Sequence, residues 1–173
     1  MALSNEDIKR CIKNGSLRFT PKISDDQIGP ASVDLTLDST FSVFKKKYGK
    51  KTPVDLQKTD FIEATFEVKA DSITLPPGGM CLGITRERIK LAPNIIGTLE
   101  GRSRYARMGL AVHVTSAMVQ PGSDNRQVLE IVNLAPFPVT IHSGMRISQV
   151  LFSYLESDTS KPYAKFGKVA IKQ

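Results

Sequence analysis

The sequence contains no tryptophan, few cysteines and no long apolar run. A membrane-spanning helix needs roughly 20 consecutive apolar residues, so membrane insertion is not expected. Phe and Tyr are scattered rather than grouped near basic residues, so the chain offers no aromatic platform on which single-stranded nucleic acid could stack. Internal repeats and low-complexity segments are also lacking, which excludes repeat architectures.

The two cysteines, Cys11 and Cys81, lie far apart and belong to no metal-binding pair. We therefore expect free thiols in a reducing compartment. The opening residues, MALSNEDIKR, lack the basic segment and apolar core of a secretory signal. Both observations predict a cytoplasmic protein.

The length of 173 residues predicts one domain, residues 1–173. Only the first segment is typical of a helix: Ser4 can cap it, Ile8 and Cys11 repeat at helical spacing, and Gly15 supplies a stop. From residue 31 onward apolar and polar residues alternate between Pro and Gly turn signals, which predicts a mainly β fold of the sandwich, jelly-roll or barrel type. Expected strands include 80–85, 110–114 and 127–133.

The stretch LEGRSRYARMGLAVHVT, residues 99–115, concentrates basic and hydroxyl side chains after a strand-like segment. We predict a short helix near 103–108 with Ser103 at its N-cap. Free amides at such a helix start, flanked by guanidinium groups, would bind an anion. The alternative is a solvated basic helix on the surface. The guanidinium groups are those of Arg102, Arg104 and Arg107.

The segment QVLEIVN places Glu130 on the same strand face as Val128 and Val132, opposite Leu129 and Ile131. A carboxylate among valines either pairs with a cation or is held for proton transfer. A half-exposed strand face with a solvated Glu remains the alternative.

Two further features favour structural roles. His113, in AVHVT, is more typical of a hydrogen-bonding structural histidine than of a catalyst. The run KKKYGKK, residues 45–51, contains five lysines and is typical of a solvated hairpin tip. With the net charge of +7 it leaves a nucleic-acid or nucleotide binding role open.

Taken together, these segments resemble the dCTP deaminases of the trimeric dUTPase-like superfamily. The resemblance covers most of the chain: LSNEDIKRCIKNGSL, GPASVDLTL, APNIIGTLEGRSRYARMGLAVHVT, QVLEIVN and HSGMRISQVLFSYLE. It implies a distorted β-barrel of jelly-roll type, assembled as a homotrimer with active sites between subunits. It also implies hydrolytic deamination of dCTP to dUTP and ammonia, which supplies the dUTP and dUMP route to thymidylate.

The same resemblance implies residue roles. Glu130 would move protons between water and the cytosine ring, while Ser103 and the main chain near Thr115 and Ser116 would hold the water beside Arg107. One group that alternates as base and acid suits this reaction. The remaining implied substrate contacts are to the phosphates, sugar and base: Arg102, Ser103, Arg104, Arg107, Gln120, Val128, Leu129, Gln149 and Tyr163.

Metal-dependent deamination requires an H-x-E and P-C-x-x-C zinc site, which the sequence does not contain. We expect no zinc, and Mg²⁺ only through the substrate triphosphate.

Three positions depart from the family pattern. Gln120 replaces an Asp that the related dUTPases use for phosphate cleavage, and a Gln cannot act as that base. Arg104 replaces a small hydroxyl residue, and the C-terminal arm bearing Tyr163 is short. A dUTPase or bifunctional deaminase and diphosphatase is therefore the less favoured alternative, followed by a non-enzymatic nucleotide or nucleic-acid binding module.

Overall fold

A computed structural model describes residues 1–48 and 53–166. The helices are α1 (Asn5–Asn14), α2 (Phe61–Ala64), α3 (Ser103–Ala106) and α4 (Tyr163–Phe166), with a 3-10 helix at Asp25–Gln27. The strands are β1 (Leu17–Thr20), β2 (Val33–Phe44), β3 (Thr65–Lys69), β4 (Ser72–Leu75), β5 (Met80–Leu91), β6 (Ile95–Gly101), β7 (Leu110–Val112), β8 (Met118–Val119), β9 (Asp124–Asn133), β10 (Val139–His142) and β11 (Arg146–Tyr154). No helix of the described part is long and apolar enough to span a membrane.

The main sheet has the strand order β7-β9-β5-β2-β11-β6-β8, with β1 paired to β5 and β3 paired to β2. Strands β4 and β10 form a separate antiparallel pair. The main sheet curls as half of a distorted barrel around a core that includes Leu35, Leu129, Ile131 and Phe152, all fully buried. The predicted mainly β, barrel-like fold with an N-terminal helix is therefore confirmed.

Helix α1 forms for the reasons that the sequence indicates. Ser4 caps it in a capping box with Asp7, and Gly15 ends it with a φ of 80°, in the left-handed region that glycine adopts readily. Ile8 and Cys11 face the core and are fully buried.

The three strands expected at 80–85, 110–114 and 127–133 are present with different bounds. Strand β7 ends at Val112 because His113 has a φ of 65°, which takes the chain out of the extended conformation. Strand β9 begins at Asp124, ahead of the predicted start. Strand β5 continues to Leu91. The sequence does not show this extension because one of the inward residues there is charged: Glu87 is only 3% exposed.

The lysine run at 45–51 lies partly outside the described residues. Within the described part, Lys45 donates a side-chain hydrogen bond to the Glu63 carbonyl (2.6 Å), and the Tyr48 hydroxyl donates to the Glu63 carboxylate (3.0 Å). These contacts join the end of β2 to α2.

Candidate active site

A cavity of about 460 Å³ opens beside strand β9. Five of the predicted site residues line it: Ser116, Gln120, Val128, Glu130 and Tyr163. Its other lining residues are Phe44, Phe61, Met80, Leu82, Leu99, His113, Met118, Val119, Ser123, Asn125 and Gln127. The cavity thus combines an ionisable carboxylate with neutral polar groups and a largely apolar remainder, which is typical of a site for a small organic molecule.

Glu130 lies on the strand face that the alternation predicted. Leu129 and Ile131 point into the core, whereas Glu130 is half-buried and stands opposite Leu82 of β5. The Glu130 carboxylate accepts hydrogen bonds from the Thr115 main-chain N–H (3.0 Å) and the Thr115 hydroxyl (3.1 Å). Two donors on one short segment fix the carboxylate at the cavity wall.

The main chain of β9 is open to the cavity on one side. Strand β7 pairs with β9 from Ile131 to Asn133, and the His113 N–H then donates to the Glu130 carbonyl (2.7 Å). Beyond that bond β7 has ended, so the edge of β9 at Val128 faces the cavity rather than a β7 residue. Leu129, which was also predicted to contact the substrate, does not line the cavity: its side chain is buried in the core and it pairs with Gly83 of β5.

The short helix near 103–108 exists, but its predicted N-cap is wrong. Arg102 occupies the N-cap and Ser103 is the first helical residue. Ser103 is exposed, and no side-chain hydrogen bond caps the helix. Arg107 ends the helix, one turn after Ser103, as the spacing predicted.

Arg102 is held in place by two partners. Its guanidinium lies 3.0 Å from the Asp34 carboxylate and donates to the Arg146 carbonyl (3.0 Å). Burial raises the pKa of Asp34, against the opposing charges of Arg102 and Arg146. The pair therefore fixes one cation beside the start of α3.

The remaining predicted phosphate contacts are exposed. Among the described residues, the side chains of Ser103 and Arg107 have no hydrogen-bond or ion-pair partner, and Arg104 lies over the Tyr105 ring at 5.9 Å. None of these three side chains lines the Glu130 cavity. Gln149 is fixed separately, because its amide donates to the Gly101 carbonyl (3.2 Å).

The chain is similar to known proteins over most of its length. The family model described as dCTP deaminase-like matches residues 2–155. A dCTP deaminase of Rhodospirillum rubrum is 42% identical over 173 residues, covering 95% of this chain and 88% of its own. The chain belongs to the dCTP deaminase-like family.

Two other relatives of this dCTP deaminase-like chain are informative. A protein of Methanopyrus kandleri named "dCTP deaminase, dUMP-forming" is 35% identical, covering 94% of this chain and 86% of its own. The crystal structure of the 2′-deoxycytidine 5′-triphosphate deaminase from Agrobacterium tumefaciens shares the fold, with a TM-score of 0.67 at 22% identity. That alignment covers 87% of this chain and 46% of the Agrobacterium chain, so this chain spans less than half of that protein.

In this dCTP deaminase-like chain the C-terminal segment docks on the turn that follows Gln120. The Tyr163 N–H donates to the Pro121 carbonyl (3.0 Å), and the Ala164 N–H donates to the Gly122 carbonyl (3.2 Å). These bonds place Tyr163 at the cavity although the predicted arm is short. Gln120 lies at the same cavity.

His113 makes the predicted structural contact, because its Nε2 bonds to the Ser116 carbonyl. Its ring also lines the cavity, and His113 Nδ1 has no partner among the described residues. In the described ranges, no three His, Cys, Asp or Glu side chains are grouped closely enough to hold a metal ion.

Sequence reasoning missed the apolar wall of the cavity. The sheet brings Phe44 of β2 and Met80 and Leu82 of β5 to the face that bears Glu130, and Phe61 of α2 lines the same cavity. The alternation along β2 and β5 shows which side chains of each strand lie on one face. It shows which of these face the same side as Glu130 only when the pairing register is known. The register itself depends on long-range pairing that one sequence does not reveal.

Proposed function

We propose that this protein catalyses the hydrolytic deamination of dCTP to dUTP and ammonia without a protein-bound metal. The observation that carries the proposal is the Glu130 carboxylate, fixed by Thr115 in a cavity large enough for a pyrimidine nucleoside. Membership of the dCTP deaminase-like family supports it, as do the names of the Rhodospirillum and Methanopyrus relatives.

One carboxylate can serve both proton transfers of this reaction. Glu130 takes a proton from water as the water oxygen attacks C4 of cytosine, and the resulting carboxylic acid protonates ring N3. Glu130 then takes the proton of the new hydroxyl and passes it to the amino group, which leaves as ammonia. Each catalysed proton transfer typically contributes about 10²- to 10⁴-fold in rate.

The open edge of β9 suits recognition of the base. Ser116, Val128 and Glu130 line the region where the pyrimidine must lie if Glu130 is to reach C4 and N3, and the β9 edge at Val128 is open there. Main-chain donors and acceptors on a rigid strand distinguish the amino and carbonyl positions of a pyrimidine without conformational rearrangement. Gln120 and Tyr163 line the same cavity and would contact the rest of the nucleoside.

The phosphate contacts would come from a neighbouring copy in a homotrimer. Ser103, Arg104 and Arg107 are exposed and do not line the cavity of their own chain, so a complete site needs a second chain. Exposed apolar side chains adjoin the same helix: Met108 is 57% exposed, and Leu134, whose N–H donates to the Gly109 carbonyl, is 70% exposed. Such a surface fits a subunit interface.

Magnesium would arrive with the substrate. The proposed phosphate-binding residues, Arg102, Ser103, Arg104 and Arg107, supply three guanidinium groups and a hydroxyl, and the one carboxylate described beside them, that of Asp34, is paired with Arg102. This composition suits phosphate oxygens rather than a metal ion. Mg²⁺ would neutralise part of the triphosphate charge while the guanidinium groups bind the remaining oxygens.

The first test measures ammonia and nucleotide products from dCTP and Mg²⁺. Unaltered protein should release ammonia and dUTP in equal amounts, and Glu130→Gln should lose at least 100-fold in kcat. Glu67→Gln is the matched control, because Glu67 is an exposed strand glutamate on β3 and should leave kcat unchanged. Release of dUMP in place of dUTP would establish the bifunctional alternative, against which Gln120 argues, and binding without turnover would contradict the proposal.

The second test addresses the shared site. Glu130→Gln and Arg107→Ala subunits, each inactive alone, are unfolded together and refolded as a mixture. If one chain supplies Glu130 and its neighbour supplies Arg107, about a quarter of the sites in an equimolar trimer carry both intact residues and activity returns to that level. A mixture as inactive as its components would contradict a site shared between chains.

A further inference from the structure

Phe44 and Phe61 stand out because they are large apolar side chains in the same cavity as an ionisable carboxylate. They are 46% and 41% exposed, and both line the Glu130 cavity. Phenyl rings are normally buried on folding, since leaving them in water forgoes the gain from burying apolar surface. Two half-exposed rings in one cavity form an apolar surface that a ligand bound there would cover.

The sheet explains how Phe44 reaches the reacting region. In the register of β2 against β5, Ser42 is opposite Leu82, and Leu82 is in turn opposite Glu130 on β9. Phe44 lies two residues beyond Ser42 and so projects from the same face. Phe44 and Glu130 are thus on one face, two strands or about 10 Å apart across the sheet.

The backbone of Phe61 is held at the cavity wall by the contacts of α2. The Asp60 carboxylate caps the helix by accepting from the Glu63 N–H (2.9 Å), and Lys45 anchors its far end through the Ala64 carbonyl (3.0 Å). A ring on a backbone that is fixed before the ligand arrives loses only its side-chain freedom on binding.

The cavity lining also includes four polar residues, Gln120, Ser123, Asn125 and Gln127. A lining that combines aromatic and polar residues matches a nucleoside, whose base presents an apolar ring face and whose sugar presents hydroxyls. We propose that Phe44 and Phe61 pack on the ring face of the cytosine, hold it against Glu130 and exclude bulk water. This inference rests on the proposed function, because it takes dCTP as the ligand.

The test measures dCTP affinity in a background that binds without turnover. Kd is determined by calorimetry for Glu130→Gln protein with and without a second substitution. Phe44→Ala and Phe61→Ala should each weaken dCTP binding about 10-fold, in the range of a lost base-aromatic contact, and Phe61→Leu should weaken it less. Inorganic triphosphate, which has no base, should bind all of these variants equally.

Phe66→Ala is the matched control. Phe66 is 48% exposed on the adjacent strand β3 but does not line the cavity, so its removal should leave dCTP affinity unchanged. Unchanged affinity in Phe61→Ala, or an equal loss of triphosphate binding, would overturn the inference. If Phe61→Ala and Phe66→Ala alike dissociate the oligomer in light scattering, the rings form a surface between copies and the inference is wrong.

The outcomes also separate this inference from the proposed function. Turnover of dCTP by unaltered protein together with unchanged affinity in the Phe44 and Phe61 variants would leave the deaminase proposal standing and remove the aromatic wall. Absence of both turnover and dCTP binding would overturn both.

Discussion

Gly122 lies where the C-terminal segment docks beside the cavity. We expect a single methyl group at Gly122 to displace that segment. Gly122 has a φ of 71°, and a Cβ at this position would lie 2.5 Å from the Pro162 Cβ and 2.9 Å from the Pro162 Cα. Carbon atoms pack at about 3.5–4.0 Å, so Pro162 would have to retreat by about 1 Å. The adjoining hydrogen bonds from Tyr163 and Ala164, at 3.0 and 3.2 Å, would then exceed bonding distance.

Two lost hydrogen bonds correspond to about 1–3 kcal/mol of docking free energy, which favours a detached segment. We therefore expect Gly122→Ala to lower kcat/KM for dCTP about tenfold, mainly through KM, because Tyr163 leaves the cavity. The change also forces an L-residue into the left-handed region, at about 1–2 kcal/mol. For a chain of this size that strain lowers Tm by about 2–8 °C.

Gly78→Ala separates the backbone strain of an L-residue at positive φ from the displacement of the C-terminal segment. Gly78 also has a φ of 71°, but a Cβ there would meet nothing within 4 Å. It should show a similar loss of Tm in a thermal melt with unchanged kcat/KM. In a Tyr163→Ala background, Gly122→Ala should add little to the loss of kcat/KM, since both act through the same ring. Unaltered kcat/KM in Gly122→Ala, or full additivity with Tyr163→Ala, would refute the reasoning.

Three more predictions concern the Asp34–Arg102 ion pair, the two buried thiols and the Asp38–Arg126 ion pair. Asp34→Asn should release Arg102 and raise KM for dCTP several-fold with little change in kcat, and equal losses in both would argue against a positioning role. Both cysteines are buried, and burial raises the pKa of Cys81 to about 12, so a disulfide reagent at pH 8 should label neither thiol until denaturant is added. Burial acts to raise the pKa of Asp38, but the Arg126 charge and hydrogen bonds outweigh it and the pKa is lowered. The folded state therefore gains stability from this pair above about pH 4 and loses it on acidification, so Tm should fall less steeply below pH 4 in Asp38→Asn.

Local sequence patterns predicted the elements whose causes are local. Ser4 and Gly15 define α1 because a cap and a left-handed stop act on neighbouring residues. The face of Glu130 followed from strict alternation along β9. The extension of β5 was hidden because Glu87 is an inward charged residue, satisfied by the Thr36 N–H (2.8 Å) and the Gln27 amide (3.0 Å), both distant in sequence.

The sequence predicted several polar residues of the candidate site, but it did not predict how they are arranged in space. The motifs identified Glu130 and the arginine group, yet spacing alone could not tell that Arg107 lies outside the Glu130 cavity of its own chain. The position of Phe44 relative to Glu130 depends on the pairing of β2 with β5 and of β5 with β9, which is a long-range property. The N-cap prediction at Ser103 was wrong by one residue because α3 is only four residues long, and local propensity fixes such short helices poorly.

The central claim is that Glu130 directs water to C4 of cytosine, and isotopic labelling tests it most directly. Protein, dCTP and Mg²⁺ are incubated in ¹⁸O-labelled water, and the products are analysed by mass spectrometry with ammonia measured in parallel. We predict one ¹⁸O in the uracil ring of dUTP, one ammonia per dUTP, and loss of both in Glu130→Gln. Unreacted dCTP, label found only in phosphate, or undiminished labelling of the base in Glu130→Gln would contradict the account.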